Sequence, residues 1–221
     1  MQVHLLFDVI AYGVGAWLSF FYFKSPFTKY PFYYYFFSIF GFIGGALLFG
    51  SLNTYLSLGE WVLSKSLIGA LFGGIVAVES VKKFYGIKGS TGAYLVPSLV
   101  AGIMIGRIGC FFGGLDDFTY GIETDSFLGY DFGDGVLRHP VQLYESFLMA
   151  IFFLFTIMIY RKKRPFFEKK IFYIFILYYA SGRFLLEFLK PYADIVYGLN
   201  LFQVLALIMI GYSFYHLRRE R

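Results

Sequence analysis

The sequence predicts an all-α integral membrane protein, a bundle of about seven transmembrane helices. Three observations predict it. Hydrophobic residues make up 58% of the 221 residues and aromatic residues 24%, and the mean hydropathy is +0.65, far above the apolar share of soluble domains. Charged residues are only 15%, and they collect between apolar runs. The runs themselves are long enough to cross roughly 30 Å of hydrocarbon at about 1.5 Å per residue.

Taken in order, the apolar segments cover about 5–23, 31–50, 61–81, 93–112, 141–160, 171–189 and 199–217. With no water in a bilayer core, each must satisfy its backbone internally and so be helical; a barrel would show short alternating segments. The first lacks a basic n-region and a small-residue cleavage site, so we expect it to be retained. The second and third are interrupted by Gly41, Gly44 and Gly45, then Gly69, Gly73 and Gly74. At that spacing glycines mark close helix contact rather than a break. Phe and Tyr supply 30 and 20 residues, many near predicted helix ends, where amphipathic rings favour the interface. Cys110 is the lone cysteine, which excludes an internal disulfide; we read it as a small buried apolar residue rather than a nucleophile.

The loops alternate in charge. One set holds Lys24, Lys29, Lys82, Lys83, Lys88, Arg161, Lys162, Lys163, Arg164, Lys169, Lys170, Arg218, Arg219 and Arg221, while the other holds only Lys65, Arg138 and Lys190. The positive-inside rule then puts the N-terminus outside and the C-terminus in the cytoplasm. The block Arg161–Arg164 reads as a topology anchor on anionic lipid, not as a nucleic-acid patch. Residues 1–221 read as one transmembrane domain, with an external acidic loop at about 113–138. Within that loop Asp131-Phe132-Gly133-Asp134-Gly135 lacks the remaining ligands of a calcium loop and reads as a turn.

Arg107 and Arg183 lie inside predicted spans. The same topology brings them to one depth with Arg138, His139, Gln142, Tyr144, Glu145, Glu187 and Lys190, in the outer leaflet just under the headgroups. Intramembrane charges are costly unless paired or used. Arg183 and Glu187 are four apart and can pair within one helix; Gln142 and Glu145 are three apart and share a face. Arg107 has no acidic residue within two turns of its own helix, so it needs a facing carboxylate or an anionic ligand. A lipid phosphate at that depth serves. Pro140 suits a helix start, where free backbone N–H groups favour an anion.

Three strings carry a family resemblance: Gly106-Arg107-Ile108-Gly109-Cys110-Phe111, then Arg138-His139-Pro140-Val141-Gln142-Leu143-Tyr144-Glu145, then Gly182-Arg183-Phe184-Leu185-Leu186-Glu187-Phe188. Together they resemble the prolipoprotein diacylglyceryl transferase family, over roughly residues 65–211. The sequence departs from the family in the first span, where Tyr12 is offset from the family's tyrosine, and at two further positions. Ile68 stands where a histidine would fall, and Cys110 stands in place of an asparagine.

The resemblance implies an enzyme of the cytoplasmic (inner) membrane, with its active site facing the outer leaflet. Its partners are the bilayer, phosphatidylglycerol and a prolipoprotein signal peptide. It transfers the diacylglyceryl group to the signal peptide's cysteine thiol, forming a thioether, with no cofactor and no metal. Catalytic roles fall to His139 as candidate base, Arg183 and Glu145. Substrate-binding roles fall to Arg107, Gln142, Tyr144 and Glu187, the last holding Arg183 in place. The alternative is a non-catalytic anionic-phospholipid binding or transport protein using the same arginine pocket. A transporter would show paired repeats and midplane polar residues; this sequence has neither an internal repeat nor such a distribution.

Overall fold

A computed structural model describes residues 2–24 and 30–219, with the side chains of residues 2–4 excluded. Lys29 and Arg221 from the basic loops, and the side chain of His4, lie outside the described residues. Among the described residues there are seven α-helices: α1 (Gln2–Trp17), α2 (Phe32–Leu58), α3 (Leu67–Tyr85), α4 (Val96–Gly113), α5 (Val141–Lys162), α6 (Arg164–Leu186) and α7 (Leu201–Arg219). Among the described residues, six helical segments are long and apolar enough to cross a membrane. The chain is an all-α, multi-pass membrane protein.

The third helix falls short of that standard. Its last turns carry Glu79, Lys82 and Lys83, and two of these face the bundle rather than lipid. Lys82 is buried and donates to Glu79 at 2.7 Å, and Glu79 also accepts from Tyr212 of α7 at 2.8 Å. These bonds fix the α2–α3 hairpin to the rest of the bundle. Within the hairpin the glycines do what their spacing predicts. A Cβ on Gly73 would strike the Gly41 carbonyl and the Gly45 Cα, and one on Gly69 would strike the Gly45 carbonyl. Backbone thus lies directly on backbone along Gly41–Gly45 and Gly69–Gly73.

Several helix boundaries differ from the sequence expectation. α2 runs eight residues beyond 50 and stops at Gly59, whose φ of 77° supplies the left-handed cap that a helix end favours. α3 starts at 67 rather than 61, where the Ser66 hydroxyl accepts from the Gly69 N–H at 3.3 Å. α6 begins seven residues before 171. Pro165 sits in its first turn, where a missing N–H costs nothing, and Arg164 lies over the Tyr160 ring at 4.0 Å.

The core is formed mainly by α4, α5, α6 and α7, with Phe23, Ile68 and Leu71 added from the N-terminal part. Side-chain hydroxyls stitch neighbours together. Ser98 donates to the Gly15 carbonyl, Ser146 to Met104 and Tyr178 to Leu148. Two small antiparallel hairpins decorate the polar end, β1–β2 (Tyr130–Asp131 with Leu137–Arg138) and β3–β4 (Asp194–Val196 with Leu199–Asn200).

Candidate functional site

Glu145 lies one turn into α5 and is the hub of a buried ionic cluster. Its carboxylate pairs with Arg107 of α4 and Arg183 of α6, and it accepts from Lys190 Nζ at 2.8 Å. Arg183 also pairs with Glu187, four residues on, and Lys190 lies 4.0 Å from the same carboxylate. All five side chains are buried. Arg107, which has no acidic neighbour on its own helix, thus finds the facing carboxylate that an intramembrane arginine requires. Three cations against two carboxylates leave one positive charge in the cluster. An uncompensated buried charge is costly, so an anionic group is its natural complement. Burial pulls the Lys190 ammonium down to about 8; the nearby Arg183 guanidinium acts in the same direction, against the pull of Glu145.

The chain after α6 supports this cluster from α7. Asn200 is 2% exposed, and its amide donates to Glu187 Oε2 at 3.2 Å. Its carbonyl oxygen accepts from the Gln203 N–H at 2.9 Å while Gln203 Oε1 accepts from the Asn200 N–H at 2.9 Å. That is a reciprocal capping box at the start of α7.

Beside Glu145 and Arg183 lies a small cavity whose wall includes Tyr179, Ile103 and Gly182. Among the described residues, the Tyr179 hydroxyl and both amide atoms of Gln142 are buried without a hydrogen-bond partner. Buried polar groups are ordinarily satisfied, so these are groups free to meet a ligand. An apolar groove between α5 and α6 shares Leu148, Gly182 and Leu186 with that cavity.

The remaining polar residues sit apart from the ion pairs. His139 Nδ1 lies 3.3 Å from the Tyr144 hydroxyl, so these two form a pair of their own at the mouth of α5. Pro140 is the cap of α5 and Val141 its first residue. The preceding loop is strapped onto this mouth. Gly121 donates to the His139 carbonyl at 3.0 Å, His139 donates to Ile122 at 3.1 Å, and Ile122 donates to Leu189 at the end of α6 at 2.8 Å. A Cβ on Gly121 would strike the His139 backbone oxygen and Cβ, so only glycine fits there.

Arg138 belongs to the β1–β2 hairpin instead. It pairs with Asp134 at 2.8 Å and lies over the Tyr120 ring. The Arg138 hydrogen bond holds the Asp134 carboxyl below the usual carboxylate range. Asp131 closes the turn by accepting from the N–H groups of Gly133, Asp134 and Gly135. Cys110, expected as a small buried residue, is half-buried and receives a 3.9 Å contact from Arg107. Ile68 is fully buried in the core.

Sequence reasoning places Arg107, Glu145, Arg183 and Glu187 in the site and the structure joins them. It named Lys190 only for its depth, and it missed Asn200 and Tyr179. For Asn200 a signal existed: Asn-x-x-Gln immediately before an apolar run is a helix-start signature.

The chain matches the family described as "Prolipoprotein diacylglyceryl transferase" over residues 3–218. It is similar to the phosphatidylglycerol–prolipoprotein diacylglyceryl transferase of Campylobacter hominis, at 35% identity over 53% of this chain and 43% of that protein. The enzyme of that name from Geobacter sulfurreducens is 36% identical over 66% of this chain and 58% of its own length. The one from Ehrlichia ruminantium is 31% identical over 80% and 73%. The first two matches thus span about half the length of those relatives. No solved structure matches.

Proposed function

Because the chain belongs to the prolipoprotein diacylglyceryl transferase family, we propose that it transfers the diacylglyceryl group of phosphatidylglycerol to the cysteine thiol of a prolipoprotein signal peptide. The observation that carries this reading is the buried cluster with its single excess positive charge. The lipid phosphate supplies the missing anion. Arg107 and Arg183 receive it, because forked guanidinium donors match phosphate oxygens and stabilise charge as it builds on the leaving group. Gln142, fully buried with its amide unsatisfied, donates to the same headgroup. The apolar groove beside Leu148 and Gly182 offers a place for the lipid's hydrocarbon.

In the reaction the thiolate sulfur attacks the glycerol carbon of the phosphodiester. A carbon–sulfur bond forms, the carbon–oxygen bond to phosphate breaks, and glycerol phosphate leaves with the electron pair. The thiol proton must go to a base, since a free thiol has a pKa near 8.5. Glu145 is engaged by three cations; its role is to hold them in register. His139 is therefore the residue we assign as base, with Tyr144, 3.3 Å away, orienting its ring. Glu187 holds Arg183. The alternation of charged loops supports an active site on the outer leaflet of the cytoplasmic membrane.

A second reading rests on Ile68, which occupies the position of the family's histidine and cannot move a proton. It is a protein that binds anionic phospholipid at the same arginines without transferring it. Incubating the purified protein with phosphatidylglycerol and a signal peptide bearing the acceptor cysteine separates the two. Transfer predicts a peptide heavier by one diacylglyceryl group. Lipid binding that depends on Arg107, with no peptide adduct, would establish the second reading instead.

A further inference from the structure

We propose that Asn200 is a positioning residue for Arg183, acting through Glu187; this rests on the transferase reading above. Asn200 does two jobs with one amide. Its carbonyl oxygen accepts from the Gln203 N–H, and its amide nitrogen donates to Glu187 Oε2. The capping box alone does not require asparagine: serine, threonine or aspartate serves equally well as a helix cap. What asparagine adds is a spare donor beyond the cap, and here that donor is spent on Glu187.

Glu187 needs this grip. Its other oxygen pairs with Arg183, and it lies in the single 3-10 turn that ends α6, just beyond the regular helix. A carboxylate held at one oxygen can rotate about its terminal torsion; held at both, its plane is fixed. Arg183 is therefore oriented from two sides, by Glu145 on α5 and by Glu187, which is anchored to the start of α7. The anchor is itself rigid. Gln203 closes the box by accepting from the Asn200 N–H, and its amide donates to the Phe184 carbonyl of α6 at 3.3 Å. Asn200 and Gln203 thus tie the start of α7 to the end of α6 where Arg183 sits.

The test uses the full-length protein. Asn200→Ser retains an oxygen for the Gln203 N–H and removes the donor to Glu187. Four quantities are compared with wild type: the thermal midpoint, the affinity for phosphatidylglycerol in nanodiscs, and the kcat and the KM for transfer to the signal peptide. The expected result is a near-unchanged midpoint, a loss of about tenfold in kcat and weaker phosphatidylglycerol binding, with the peptide KM unchanged. In a Glu187→Gln background, Asn200→Ser should cause no further loss, because the two act as one unit. Asn200→Asp, which also keeps the cap but sets a carboxylate against Glu187, should lose more than Asn200→Ser. Wild-type binding and turnover in Asn200→Ser would overturn the proposal. So would losses that multiply with those of Glu187→Gln, or a fall in activity matched by a fall in midpoint. Should wild type bind phosphatidylglycerol without transferring it, the transferase reading fails. The affinity measurements across the four proteins of the cycle then decide the role of Asn200 by the same criterion.

Discussion

Glu145 pairs with three cations at once, whereas Glu187 serves Arg183 and stands at the margin of Lys190. Removing one partner of a buried pair typically costs about 3 kcal/mol or more, because a charge is left without compensation. Glu145→Gln should therefore lower the thermal midpoint more than Glu187→Gln, and scanning calorimetry of both variants in one detergent checks the order. Arg183→Ala removes a donor to the proposed phosphate, and loss of one such group costs about 10²-fold in kcat. Lys190 gives a pH signature. As pH rises through about 8 its ammonium loses a proton, and the cluster falls from one excess positive charge to none. Affinity for phosphatidylglycerol should weaken over that interval. Lys190→Arg, which stays charged at every accessible pH, should bind equally well at pH 7 and pH 9, as read by titration into nanodiscs.

The α2–α3 hairpin depends on four glycines for its backbone contact. Gly73→Leu has nowhere to place its side chain without separating the two helices, and overpacking of this kind costs about 1–3 kcal/mol. A lower thermal midpoint is expected, whereas Gly44→Leu, where a Cβ meets open space, should be neutral. The β1–β2 hairpin responds to acid. The Asp134 carboxyl is held below its ordinary range by Arg138, so the pair contributes above the ordinary aspartate pKa and is lost as pH falls through the depressed folded value. Amide protection of residues 133–136 should fall over that acid range, and Asp134→Asn should abolish the pH dependence.

These elements were legible to different degrees. Six of the spans are plain in the sequence because each is a long apolar run, whereas α3 is broken by Glu79, Lys82 and Lys83; the glycine contacts follow from their spacing. The start of α6 is not plain, since Arg164, Glu168, Lys169 and Lys170 read as loop. In the fold Arg164 rests on Tyr160 and Tyr94, and Tyr94 donates to Glu168, so the charged turn packs on aromatic rings. Within the site, Arg183–Glu187 is visible as a helical pair of residues four apart. The Arg107–Glu145 contact bridges two helices, and only the shared depth of the two residues points to it. Asn200 escapes notice because its partner, Glu187, belongs to the element before it.

At the scale of the whole molecule, one end of the bundle gathers the five-residue cluster around Glu145, while the part-buried Lys82–Glu79 pair stands apart at the end of α3 and the basic residues Arg161 and Arg164 sit among aromatic rings, Arg161 donating to Tyr22 and Arg164 to Tyr94. That concentration fits the one-sided site proposed above better than a path across the membrane. The small cavity beside Arg183 and the apolar groove that shares its wall suit a molecule with an anionic head and a hydrocarbon tail. In the proposed reaction the electrophile is a glycerol carbon, and the charge surplus of the cluster gives the reason that its leaving group is a phosphate anion. The most direct measurement is the yield of glycerol phosphate set against thioether formed on the signal peptide, in wild type and in Arg183→Ala. Equal amounts of the two products in wild type, and a loss of both in the variant, are predicted. Glycerol phosphate without thioether, or undiminished yield in Arg183→Ala, would contradict the account.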